Sequence, residues 1–264
     1  MNKSHYKKNY HFTSEWFTEE TINNWTKIFL PYKSKRTNYL EIGVYEGRSL
    51  LWMVENILVH PESKAIGVDE YNLDRYDYRS VLHQNINLSG EAAKITIIGQ
   101  NSQIALRALE DNSIDVIYID GSHEMKNVTR DIVNSWYLLK EGGILILDDY
   151  EMHKDKMPTF LRPELAINNF LIGFRNEIDT LLWGYQIIVQ KKASLGGSSC
   201  SMIDEYSYEW YNHELYNTKT ERIYHLADDK RLLLEVMLRG INYLVPDEEL
   251  VKQKQEIKAV LDSW

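Results

Sequence analysis

Tyr39-Leu-Glu-Ile-Gly-Val-Tyr-Glu-Gly-Arg-Ser49 is the stretch on which the reading of this chain turns. An apolar run closes on an acid, Glu41, and glycines follow at Gly43 and Gly47. Ser49 then opens an amphipathic segment that continues to Leu58. The pattern predicts a strand, a tight turn and a helix. Gly43 permits a sharp turn and lets a ligand approach the backbone. The free N–H groups at the helix start, around Ser49, face the same ligand. The spacing is acid-x-Gly-x-x-x-Gly, not the G-x-G-x-x-G of dinucleotide-binding turns. A nicotinamide oxidoreductase is therefore disfavoured.

Around this stretch, residues 38–192 alternate short apolar runs with amphipathic segments. The runs are Tyr39–Ile42, Ala65–Val68, Ile95–Ile98, Val116–Ile119 and Ile144–Leu147. Such alternation predicts a doubly wound, mostly parallel α/β sheet. Trp183–Lys191 reads as a late strand that closes the sheet, pairing with one near Glu177–Leu182. Residues 1–37 form an N-terminal segment with helical spacing at Ile22, Trp25, Ile28 and Phe29, ended by Pro31. Residues 193–264 begin with a Gly/Ser-rich linker. They continue as an extension with helical pattern over Asp229–Ile241 and from Asp247 to about Leu261.

At 264 residues the chain is long enough for one large domain with an appendage, and its hydrophobic fraction of 44% supports a sizeable core. The net charge of −9 makes nucleic acid a poor partner. A small-molecule substrate is the better expectation. Cys200 is the only cysteine, so no internal disulfide forms, and cytoplasm is the expected compartment. The basic start lacks the apolar core of a signal peptide, and no apolar run is long enough to span a membrane. The oligomeric state is open.

In open α/β sheets, ligands bind outside the carboxyl ends of the strands. The residues that close the apolar runs are therefore the candidates. Asp69 ends the second run and suits a ribose diol, because a carboxylate accepts two hydrogen bonds. Ser102 and Gln103 follow the third run and are candidates for an adenine edge; helix capping by Ser102 is the competing role. Asp120 ends the fourth run, and Asp148 and Asp149 end the fifth. If those strands are neighbours, their ends lie roughly 4.8 Å apart and three carboxylates converge. A hard divalent cation such as Mg²⁺ relieves their repulsion. Helix caps and salt bridges are the alternative roles.

These residues together resemble the class I S-adenosylmethionine (SAM) methyltransferases. The closest resemblance is to the cation-dependent O-methyltransferase branch that includes macrocin O-methyltransferase, with catechol O-methyltransferase a more distant relative. The resemblance covers residues 38–192 and not the extension. It implies a Rossmann-like seven-stranded sheet and SAM on Glu41, Gly43, Gly47, Ser49, Asp69, Ser102 and Gln103. It also implies Mg²⁺ on Asp120, Asp148 and Asp149, with Asp120 at the reacting centre and a small-molecule hydroxyl as acceptor. One departure stands out. Where catechol-type enzymes carry a lysine as general base, three residues after the first metal aspartate, this chain has His123. An imidazole suits proton removal near neutral pH; His153 is a second candidate. A non-catalytic SAM- or nucleotide-binding module with a protein-binding tail is the rival class.

Overall fold

The computed structural model describes residues 5–72, 76–152, 158 and 161–193, and the backbone of three short strands between residues 208 and 224. The five apolar runs form parallel strands: β1 (Asn38–Ile42), β2 (Lys64–Val68), β3 (Ile95–Ile98), β4 (Ile114–Ile119) and β5 (Leu139–Leu147). The expected closing pair is β6 (Ile178–Trp183) and β7 (Ile187–Lys191). Trp183 ends β6 instead of opening the last strand, because Gly184 turns the chain. The order is β3-β2-β1-β4-β5-β7-β6, with β7 antiparallel to both neighbours. The sheet is thus seven-stranded, mostly parallel and Rossmann-like. Its order reverses between β1 and β4, which is where such sheets bind ligands.

Among the described residues, six α-helices cover it: α1 (Glu19–Phe29), α2 (Arg48–Asn56), α3 (Tyr78–Ser89), the single-turn α4 (Ser102–Ala105), α5 (Met125–Leu138) and α6 (Pro163–Gly173). The Thr18 hydroxyl caps α1 by accepting from the Thr21 N–H. Strand side chains alternate between faces. Tyr39, Val116, Tyr118, Ile144 and Ile146 pack against Trp25 and Phe29 of α1, Leu50 and Leu51 of α2, and Leu82 of α3. Leu40, Ile117, Leu145 and Leu147 pack against Ile132 and Trp136 of α5 and Ile167 and Phe170 of α6. Each fully buried aliphatic side chain of this kind contributes about 1.5–3 kcal/mol.

Register brings the strand ends into one row. Ile42 pairs with Val68 and Ile119, and Ile119 with Leu147. The next backbone N–H groups continue the ladder: Gly43 to Val68 O, Asp120 to Ile42 O and Asp148 to Ile119 O, at 2.8, 2.9 and 3.1 Å. Antiparallel β7 begins beside the end of β5, Ile187 opposite Leu147, so Gln186 joins the same rim.

The chain divides into two compact units, Met1–Ser194 and Leu195–Trp264. The second contains β8 (Tyr208–Tyr211), β9 (Glu214–Asn217) and β10 (Arg222–Tyr224) in one antiparallel sheet. These strands precede the two helices expected over residues 229–241 and 247–261, which lie outside the described residues. Tyrosine and tryptophan at 208, 210, 211, 216 and 224 favour strand.

Candidate active site

The turn after β1 is built on three left-handed residues: Gly43 (φ 87°), Tyr45 (φ 51°) and Gly47 (φ 83°). A side chain on Gly43 would meet the Asp120 carbonyl oxygen at 2.1 Å. Gly43 is therefore required by the close approach of β1 to the end of β4 rather than by room for a ligand. Gly47 is the N-cap of α2 and lies against Leu82. Tyr45, a bulky residue in a conformation favoured by glycine, stacks between Trp16 and Tyr78 with ring centroids 5.0 Å from each.

Two of the expected cofactor residues are hydrogen-bonded within the protein itself. Glu41 is fully buried and accepts from the Tyr39 and Ser49 hydroxyls, both at 2.6 Å. Burial pushes its carboxyl up from 4.5 to about 8. Asp69 accepts from the Val44 and Tyr45 N–H groups through Oδ2, at 3.0 and 2.9 Å, and from the Tyr71 N–H through Oδ1 at 2.8 Å. A carboxylate has about four acceptor positions, so Asp69 keeps little capacity for a diol.

Ser102 and Gln103 stand together, as expected, but their side chains both donate to Asp131 Oδ1 of α5, at 2.7 and 2.6 Å. Asp131 is buried, which raises its carboxyl to about 6. The cap of α4 is Asn101, not Ser102: its side chain accepts from the Gln103 N–H.

The ends of β4 and β5 converge. The buried Tyr118 hydroxyl contacts Asp120 Oδ2 at 2.9 Å and Asp148 Oδ2 more closely still. Asp148 Oδ2 also accepts from the Gln186 side-chain amide at 2.6 Å, and its Oδ1 from the Asp149 N–H at 2.7 Å. Consecutive residues of a strand point to opposite faces. Asp149 leaves the strand with φ 60°, and its carboxylate meets the Tyr185 hydroxyl and His123 Nε2, both at 2.9 Å. Burial, then the neighbouring carboxylates, raise Asp120 well above the usual range; burial and Asp149 raise Asp148 to about 6. His123 is raised as well, chiefly by its hydrogen bond to Asp149.

Asp120, His123 and Asp149 each place a ligand atom within 4.8 Å of the others. Hard carboxylate oxygens with one imidazole fit Mg²⁺ or Mn²⁺. Asp148, the third expected ligand, stands on the same rim but outside this group, where His123 takes its place; its oxygens face Tyr118, Gln186 and the Asp149 N–H. His153 lies outside the described residues. Sequence reasoning missed Tyr118, Gln186, Tyr185 and Trp25 as site residues. The one signal for Tyr118 was an aromatic hydroxyl in an aliphatic strand, on the same face as Asp120.

Residues 40–150 match the family described as methyltransferase domain. An uncharacterized protein of Acanthamoeba polyphaga mimivirus is 29% identical over 127 residues, 44% of this chain and 52% of that protein. The chain thus spans about half the length of that relative. Among solved structures, an O-methyltransferase of Bacillus cereus in complex with SAH aligns with TM-score 0.52 at 16% identity, covering 66% of this chain and 82% of its own. An SAH-bound methyltransferase of Podospora anserina gives 0.53 at 18%, with 69% and 83% covered. The O-methyltransferase TomG of Streptomyces achromogenes, with SAM, gives 0.52 at 11%, with 67% and 82% covered. At these identities the likeness is one of fold. Residues 40–150 are thus similar to a methyltransferase domain, and the sheet that contains them has the fold of these methyltransferases.

Proposed function

We propose that this protein is a class I, divalent-metal-assisted O-methyltransferase that moves a methyl group from SAM to a hydroxyl of a small molecule, a sugar or another natural product. The observation that carries the reading is the convergence of Asp120, Asp148, Asp149 and His123 on one rim, next to the glycine turn. The like-folded structures that hold SAH or SAM support the methyl donor. The donor is assigned to the rim that runs from Gly43 past Asp69 to Ser102 and Gln103. The cation is assigned to Asp120, Asp148 and Asp149; when bound, it lowers the pKa of an acceptor hydroxyl and orients it.

The chain's own residues do the rest. His123 is half-exposed and donates from Nε2 to Asp149, so its other ring nitrogen, Nδ1, is the one assigned to take the acceptor's proton. Tyr185 orients Asp149 from the other side. The turn and the aromatic wall of Trp16, Tyr45 and Tyr78 limit how reactants are placed, and positioning is the larger part of such catalysis. The rival reading, a non-catalytic module, is not favoured, because converging, partly buried carboxylates beside a histidine have no use in simple cofactor capture. No helix among the described residues is long and apolar enough to cross a membrane. We assign the cytoplasm on the single cysteine.

The test is methyl transfer from labelled SAM to a panel of sugar and phenolic hydroxyls. EDTA should abolish transfer while SAH still binds, and Mg²⁺ should restore it. His123→Ala should lower kcat by roughly 10²–10⁴-fold, the usual contribution of a general base. Undiminished transfer in EDTA would remove the metal from the mechanism.

A further inference from the structure

The carboxylate rim is gripped from an element outside the methyltransferase domain. Trp25, in the middle of α1, is fully buried, and its indole N–H donates to Gln186 Oε1 at 2.8 Å. Gln186 is itself 5% exposed, and its side-chain nitrogen donates to Asp148 Oδ2 at 2.6 Å. An indole N–H is a donor only. It therefore fixes which end of the amide faces it, and the NH₂ end is left for Asp148. The same indole packs edge-on against the Tyr118 ring, with centroids 4.9 Å apart and planes at 88°. Tyr118 in turn bridges Asp120 and Asp148. Both side-chain grips on Asp148 thus lead back to Trp25, 161 residues from Gln186 in sequence.

We infer that Trp25, Gln186 and Tyr118 are positioning residues that set the Asp148 carboxylate for the cation, and that α1 is in this way an integral part of the reaction centre. The inference rests on the metal-assisted reading above. A carboxylate ligand loses affinity when its orientation is free, and partners of ligands typically matter by 10–100-fold. Three other features carry less. The groove beside Tyr137 and Leu106 has nothing to indicate an occupant. The exposed Trp183 lies on an edge strand with no partner shown. The N-terminal strap of Tyr6 to Ser14 is accounted for by its hydrogen bonds to Glu46, Glu55 and Asn85.

The experiment is titration of the full-length protein with Mn²⁺ alone, in wild type, Trp25→Phe, Gln186→Met and the double variant, with SAH affinity measured in each. Phe keeps a ring and Met keeps volume, so packing is largely retained. Gln186→Met should weaken Mn²⁺ binding by about 10–100-fold, and Trp25→Phe by a smaller factor. SAH affinity should hold within about two-fold, inside the scatter of single-site energies. Trp25 acts on Asp148 chiefly through the amide. The double variant should therefore bind Mn²⁺ about as well as Gln186→Met alone, a non-additivity that a general loss of stability would not produce. If Trp25→Phe does not fold, Gln186→Met decides by itself. Wild-type Mn²⁺ affinity in Gln186→Met overturns the inference and leaves the metal reading intact. A wild type that takes up no Mn²⁺ overturns both.

Discussion

Glu41 shows how far one carboxyl's role can depart from its place in a motif. It closes the first apolar run, where an acid invites a ligand-binding reading, yet both its oxygens are occupied by Tyr39 and Ser49 inside the protein. Its carboxyl is raised from 4.5 to about 8 because burial penalises the charged form. The sign of the linkage follows. The folded state holds this proton more tightly than the unfolded state. Its stabilising effect is complete below about pH 4.5 and disappears as pH rises through 8. Asp131 and Asp148, both raised to about 6, act in the same direction at lower pH. Urea midpoints should therefore fall between pH 6.5 and 8.5 in the wild type, by on the order of 2–3 kcal/mol in stability. Glu41→Gln should flatten that slope, with Asp120→Asn as the control for the other strongly raised acid. An equal slope in Glu41→Gln would mean that Glu41 is ionised in the folded protein.

The turn from β1 into α2 is held by the residue that follows β2. Asp69 receives three backbone N–H groups, two of them from the turn that contains the left-handed Tyr45. Left-handed non-glycine residues cost of order 1–3 kcal/mol and persist only where their surroundings enforce them. Asp69→Ala should therefore destabilise the ligand-free protein by roughly 2–3 kcal/mol, the cost of leaving such donors without an acceptor. SAH binding should fall in parallel, since the turn loses its shape. Denaturant unfolding without ligand is the measurement. Unchanged stability with weakened SAH binding would return Asp69 to the ribose role that its position after β2 implies.

The sheet that frames the site is complete at Lys191, and the chain divides after Ser194. A protein truncated there should unfold cooperatively at the temperature of the full chain and bind SAH with the same affinity, read by calorimetry. A large loss of melting temperature would show that residues 195–264 belong to the same cooperative unit. Much of this architecture was legible in advance. The alternation of apolar runs with amphipathic segments specifies strand against helix locally, and right-handed crossovers leave few ways to assemble them. That is why all five parallel strands, the closing pair and the acids at their ends could be placed from spacing alone. What spacing cannot show is where a side chain points once neighbours compete for it. Asp69, Ser102 and Gln103 stand where the pattern puts them, but their hydrogen bonds go to the protein. Trp25, Tyr118 and Gln186 come from a helix, a strand and a hairpin far apart in sequence, and no local period links them. The strand order of the sheet brings the Tyr118 and Gln186 donors to Asp148, and the packing of α1 brings the Trp25 N–H to Gln186, because hydrogen-bond partners over such separations are chosen by three-dimensional proximity and not by chain order.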